Sequence, residues 1–137
     1  MTSALYLDTS AVLRAALETG STPDIEARLR DATVLVTSRL SLVESSRVFH
    51  RLRLQGRLSE AQLVDAERAV GEVWSRCELW ELTPAVCEMG RQVAPGIPLR
   101  ALDALHLATF VLARRRIAGL VLLTADERLE QAAGVTS

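Results

Sequence analysis

The chain contains no lysine and no asparagine, and all 16 of its basic residues are arginine. A GC-rich genome explains this, because the codons for both missing residues are AT-rich. The functional alternative is phosphate recognition by guanidinium forks. In either case, any phosphate contact must come from arginine or from backbone. The net charge is −1, so no overall basic excess advertises a nucleic-acid partner. Cysteine is nearly absent. Cys77 and Cys87 form neither a C-x-x-C pair nor a zinc-like spacing with His50 and His106. Both are expected to be small buried apolar residues rather than a disulfide. Long apolar runs are also missing. None reaches the ~18 residues of a membrane span, and the N-terminus lacks the basic region and long apolar core of a signal peptide. A cytoplasmic protein without membrane attachment is expected.

What is present suits a folded protein. Of the 137 residues, 49% are hydrophobic and 24% charged, and they are expected to form a single domain, 1–137. Short apolar runs at Ala4 to Leu7, Thr33 to Thr37, Leu79 to Leu82 and Leu120 to Leu123 read as strands. Helical patterns lie between them: from about Ser10, at Ser21 to Asp31, Ser38 to Gln55 (stopped by Gly56) and Ser59 to Arg76. Thr83-Pro84 opens another helix, with an N-cap hydroxyl followed by proline. Leu99 to Arg116 is long and apolar on nearly every side, and Thr124 to Ala133 closes the chain. Strands that are apolar on both faces and alternate with helices predict an α/β fold. The expected form is a three-layer sandwich, a short parallel sheet covered by helices on both faces. In such sheets ligands sit beyond the carboxyl ends of the strands.

Four carboxylates occupy notable places in this pattern. Asp8 is the only charged residue between Met1 and Arg14, and it ends the first strand. Glu44 lies in the helix after the second strand. Asp103 is the only charged residue between Arg100 and Arg114. Asp126 follows the last strand. Each has a structural alternative. Asp8 could cap a helix, and Glu44 could close a capping box with Ser41. Asp126 could complement a helix dipole in a first turn opened by Thr124. Asp103 could belong to a buried ion pair, since an unpaired carboxylate in so apolar a helix is costly. His106, one turn on, could share its face. Taken together, the placements send Asp8 and Asp126 to one edge of a parallel sheet, with Glu44 and Asp103 on helices nearby. Converging carboxylates are tolerated when a cation neutralises them. Oxygen donors suit Mg²⁺, with Mn²⁺ as a possible substitute.

Four segments carry a resemblance: Y-L-D-T-S-A, the stretch from Ser38 to Glu44, L-D-A-L-H-L-A, and L-T-A-D-E-R-L. In this order they are similar to the four acidic motifs of PIN domains. The spacing and length resemble the VapC toxins of toxin–antitoxin modules. The resemblance implies an endoribonuclease that hydrolyses RNA phosphodiesters by metal-activated water, leaving 5′-phosphate and 3′-hydroxyl ends. It maps Asp8, Glu44, Asp103 and Asp126 onto the metal-binding and catalytic positions, with Thr124 in support. Thr9 and Ser10 match the small hydroxyl residues after the first acid, and are expected to serve as cap and turn. The implied partners are RNA, an antitoxin that blocks the active site, and a second copy of the chain. A terminal strand could include only Val135 and Thr136. Two readings keep the residues but change the role: a housekeeping PIN nuclease, or a non-catalytic nucleic-acid-binding domain. Arg47, Arg51, Arg53 and Arg57 on one helix, and Arg114 to Arg116 on another, are either solvated faces or RNA contacts. The stripe Leu63, Ala66, Val70, Val73 and Trp74 is either core or a partner surface.

Overall fold

The computed structural model describes residues 3–136. The first strand explains the architecture. In β1 (Ala4–Leu7) all four residues are buried, and successive side chains face opposite sides. Ala4 and Tyr6 enter one apolar cluster, Leu5 and Leu7 another. A strand with two buried faces needs a layer of helices on each side.

Four parallel strands form one sheet in the order β3-β2-β1-β4. They are β1, β2 (Val34–Ser38), β3 (Cys77–Trp80) and β4 (Val121–Leu123). On the Leu5 and Leu7 side lie α1 (Thr9–Leu17), α2 (Pro23–Asp31), α3 (Arg39–Gln55) and α4 (Glu60–Ser75). They contribute Ala11, Val12, Leu29, Phe49, Leu63 and Trp74 to that cluster. On the Tyr6 side, α6 (Ala101–Arg114) and α7 (Glu127–Val135) contribute Leu107, Phe110, Leu129 and Ala132. The short α5 (Pro84–Gly90) packs beside α6. This is the expected three-layer α/β sandwich. Chain direction across the sheet reverses at β1, whose neighbours β2 and β4 are followed by α3 and α7. The carboxyl ends of these three strands therefore form the switch point at which ligands bind in open α/β sheets.

Local signals set most boundaries. Ser38 caps α3 by accepting from the Leu40 N–H, and Gly56 ends it in the left-handed region at φ 67°. Ser59 and Gln62 form a reciprocal capping box on α4. Pro23 and Pro84 start α2 and α5. The α4 stripe is core: Leu63, Ala66, Val70 and Trp74 are buried, Val73 partly so, and Trp74 Nε1 donates to Ser45 Oγ at 3.0 Å.

Other expectations are corrected. The third strand runs two residues earlier than Leu79 to Leu82. Its extent is set by pairing with β2, from Leu35↔Cys77 to Ser38↔Trp80, and Leu82 is exposed. α6 begins at Ala101, not Leu99, and ends before Arg115 and Arg116. Its first turn reaches solvent, where Leu102 is 46% exposed. Asp103 is therefore half-buried, not immersed in the core. α7 starts after Asp126, and Asp126 rather than Thr124 is its cap. Val135 is helical, and no fifth strand forms among the described residues. Cys87 is exposed and Cys77 half-buried; both are free thiols, and burial pushes the Cys77 thiol up to about 12.

Candidate active site

Asp8 follows β1 directly and occupies the N-cap position of α1, yet its side chain makes no capping bond. Only 6% of the residue is exposed. Its Oδ2 accepts from Ser10 Oγ at 2.6 Å and from Thr124 Oγ1 at 2.7 Å. Both hydroxyls also accept backbone N–H groups, Ser10 from Ala125 and Thr124 from Asp126. One carboxylate oxygen thus joins the ends of β1 and β4. Charge-assisted bonds of this kind are the stronger class, and they leave Oδ1 as the oxygen available to a ligand. Ser10 therefore holds the aspartate and does not replace it as a cap.

Asp126 caps α7. Its Oδ1 accepts from the Arg128 and Leu129 N–H groups at 2.9 and 3.3 Å. Asp103 sits in the first turn of α6. Its carboxyl is raised above the ordinary value of 3.8, first by burial and then by the negative charges of Asp126 and Asp8. The Arg100 backbone N–H and the Arg128 guanidinium oppose that rise. Asp103 thus feels the charges of Asp126 and Asp8, with Arg128 offsetting them in part.

Glu44 stands slightly apart. Its Oε1 accepts from Thr9 Oγ1 at 2.7 Å and meets His106 Nε2 at 2.6 Å. Burial raises its carboxyl, but these two bonds outweigh it and hold the group below its ordinary value of 4.5. His106 is 1% exposed and lies 3.8 Å from Asp8 Oδ1. Its Nδ1 meets the Tyr6 hydroxyl at 2.9 Å. Ser41 and Thr37 complete this buried polar layer, with Thr37 Oγ1 donating to the Leu7 carbonyl at 2.7 Å.

Thus Asp8 meets Thr124 directly, Asp126 meets Thr124 through its backbone N–H, Asp103 feels the charges of Asp126 and Asp8, and Glu44 is engaged by His106. His106 partners Glu44 and not Asp103, the residue one turn before it. Tyr6 and Arg128 carry no signal of a site role in the sequence. The hydroxyl at Ser41 had a signal, its place one turn before Glu44, but was read as a cap. Thr9, expected to cap or turn the chain, binds Glu44. Among the arginines, Arg53 is spent on Glu60 and Glu67. Arg114 lies 5.0 Å over the Phe110 ring and donates to the Thr136 carbonyl. Arg47, Arg51, Arg57, Arg115 and Arg116 are exposed and form no ion pair with other described residues.

A family model of the PIN domain matches residues 5–135. The chain is a PIN domain. Two relatives from Mycobacterium tuberculosis extend that placement to the VapC family. Ribonuclease VapC49 is 31% identical over 131 residues, covering 94% of this chain and 88% of the relative. Ribonuclease VapC35 is 32% identical over 135 residues, covering 97% and 92%. Among solved structures, the fold is similar to PAE2754 from Pyrobaculum aerophilum, with a TM-score of 0.65 at 21% identity. That match covers 95% of this PIN domain and 79% of the other chain.

PIN-domain nucleases use divalent metals. Among the described residues of this PIN domain, no three His, Cys, Asp or Glu side chains form a ready-made metal cage. The donor chemistry nonetheless fits a hard cation. Asp8 and Asp126 each use one oxygen for internal bonds and keep the other, and Asp103 is destabilised by the two charges that a cation would offset. Among the described residues, no helix is long and apolar enough to cross a membrane.

Proposed function

We propose that this PIN domain is a Mg²⁺-dependent endoribonuclease, the toxin of a VapBC-type pair, acting in the cytoplasm. The observation that carries the reading is the buried Asp8, held by Ser10 and Thr124 where β1 and β4 end, in a chain related over most of its length to ribonucleases. Asp8, Asp103 and Asp126 would hold Mg²⁺, or Mn²⁺ in its place, with Glu44 completing the acidic set. When bound, the cation supplies a more acidic water and offsets charge on the phosphate.

The chain's own residues do the rest. Ser10 and Thr124 fix Asp8, so that its free oxygen has one position. The α7 backbone fixes Asp126 in the same way. Arg128 offsets negative charge beside Asp103, which lets a polyanion approach an acidic site. Glu44, held as a carboxylate, can accept a proton on its remaining oxygen. RNA in a single-stranded loop exposes its backbone to such a site, and cleavage leaves 5′-phosphate and 3′-hydroxyl ends.

One related fold supports an antitoxin partner. VapBC2 from Rickettsia felis, solved bound to a DNA fragment from its promoter, matches with a TM-score of 0.59 at 14% identity, covering 89% of this chain and 98% of that one. The proposed assembly is a homodimer whose active site an antitoxin blocks.

The test is end-mapping of cellular RNA after induced expression of the parent and of Asp103→Asn. Defined cuts with 5′-phosphate ends are expected from the parent alone, and purified protein should lose activity with EDTA and regain it with Mg²⁺. Equal cleavage by Asp103→Asn would overturn the assignment of that residue. Activity without growth arrest would favour a housekeeping nuclease, and RNA binding without cleavage a non-catalytic domain.

A further inference from the structure

His106 has no assigned part in the acidic set, yet both of its ring nitrogens are engaged in the interior. Three features of its surroundings bear on which nitrogen carries hydrogen. A glutamate carboxylate can only accept, as Oε1 does from Thr9, so the 2.6 Å contact requires a hydrogen on Nε2. Asp8 Oδ1, at 3.8 Å, is too distant to compete for it. On the other side of the ring, burial keeps the Tyr6 phenol protonated. The Tyr6 hydrogen is then available to Nδ1, 2.9 Å away.

We propose that His106 is a positioning residue, with Nδ1 accepting from Tyr6 and Nε2 donating to Glu44, that clamps Glu44 Oε1. With Thr9 on the same oxygen, the clamp ties the glutamate of α3 to α1 and to α6, and through Tyr6 to β1. Only Oε2 remains for the reaction. Asp103 and His106 are one helical turn apart, so one segment of α6 carries both an acid of the set and the clamp. The role of Oε2 rests on the nuclease reading, whereas the hydrogen positions do not.

The experiment has two arms. ¹⁵N-histidine-labelled protein is examined by two-bond ¹H–¹⁵N correlation, with His50→Gln to assign the two histidines. The His106 pattern should be that of a ring bearing hydrogen on Nε2 and none on Nδ1. Tyr6→Phe, which keeps the packing, should leave the hydrogen on Nε2 and shift only the Nδ1 resonance, because that nitrogen loses its donor. Hydrogen on Nδ1 in the parent overturns the clamp.

The second arm is steady-state cleavage of an RNA substrate in Mg²⁺. His106→Leu should lower kcat about 10- to 100-fold, as for other residues that orient catalytic groups, with KM little changed. His106→Gln, which restores an N–H donor, should recover much of that loss. Calorimetric Mn²⁺ affinity should be similar in the parent and His106→Gln, and weak in Asp8→Asn. A His106→Leu protein that is folded and as active as the parent overturns the clamp. An inactive parent with the expected ring hydrogens overturns the nuclease reading and leaves the clamp intact.

Discussion

Replacing Thr124 by valine removes one hydroxyl and keeps the side chain's shape. In the parent that hydroxyl donates to Asp8 Oδ2 at 2.7 Å and accepts from the Asp126 N–H at 3.0 Å. Asp8 is almost fully buried, so water cannot readily replace the lost donor. A hydrogen bond to a charged group contributes about 1.5–3 kcal/mol. The Asp126 N–H is half-buried and can recover part of its loss from solvent, so the same range holds for the whole change. With a urea slope of about 2 kcal/mol per molar, the midpoint should fall by about 1 M. Thr124→Ser is the control. It keeps the hydroxyl and loses only a methyl at a half-buried position, costing about 1 kcal/mol or less. Urea unfolding followed by circular dichroism, with EDTA present, reads both values. If valine is as stable as threonine, or serine as damaging as valine, Thr124 does not hold Asp8 in the manner described.

Three further outcomes follow from the same geometry. Asp103 has a raised carboxyl in the folded chain, which makes its charge destabilising once it ionises. Asp103→Asn should therefore raise the urea midpoint at pH 7 in EDTA, with the gain vanishing below the ordinary value of 3.8, and should lose the stabilisation that Mn²⁺ gives the parent. Glu44 has the opposite sign: its lowered carboxyl adds stability above the ordinary value of 4.5, and that stability is lost as pH falls through the folded value. Glu44→Gln should flatten the acid limb of a stability–pH curve, and an unchanged limb would refute the pairing with His106. Ser45→Ala leaves the buried Trp74 indole N–H without its 3.0 Å acceptor and should cost about 1–3 kcal/mol in urea unfolding.

Much of the fold was legible because local signals agreed with the long-range ones. Ser38, Gly56, Ser59 and Thr83-Pro84 each marked a helix end through a cap or a restricted backbone. β3 was misplaced because it is an edge strand whose residues are only partly buried. Its local pattern is weak, and pairing with β2 decides its extent. The first turn of α6 misled for a different reason. Apolar composition on every side implies burial only where neighbouring layers cover the helix, and Leu102 lies beyond them.

The sequence by itself determined the layered α/β class, the placement of Asp8 at a strand end and the order of four acids along the chain. These rest on periodicity and on the positions of charges within apolar runs, both readable in one dimension. Only the tertiary structure decided how the acids are grouped. Glu44 and His106 are separated by 62 residues and Asp8 and Thr124 by 116. Whether such residues meet depends on how far each helix is rotated about its axis and how strands align in register, because hydrogen bonds form only within a few tenths of an ångström of the right distance. Sequence spacing does not carry that precision. The closed sandwich supplies it, by fixing β1, β4, α3 and α6 against two packed cores.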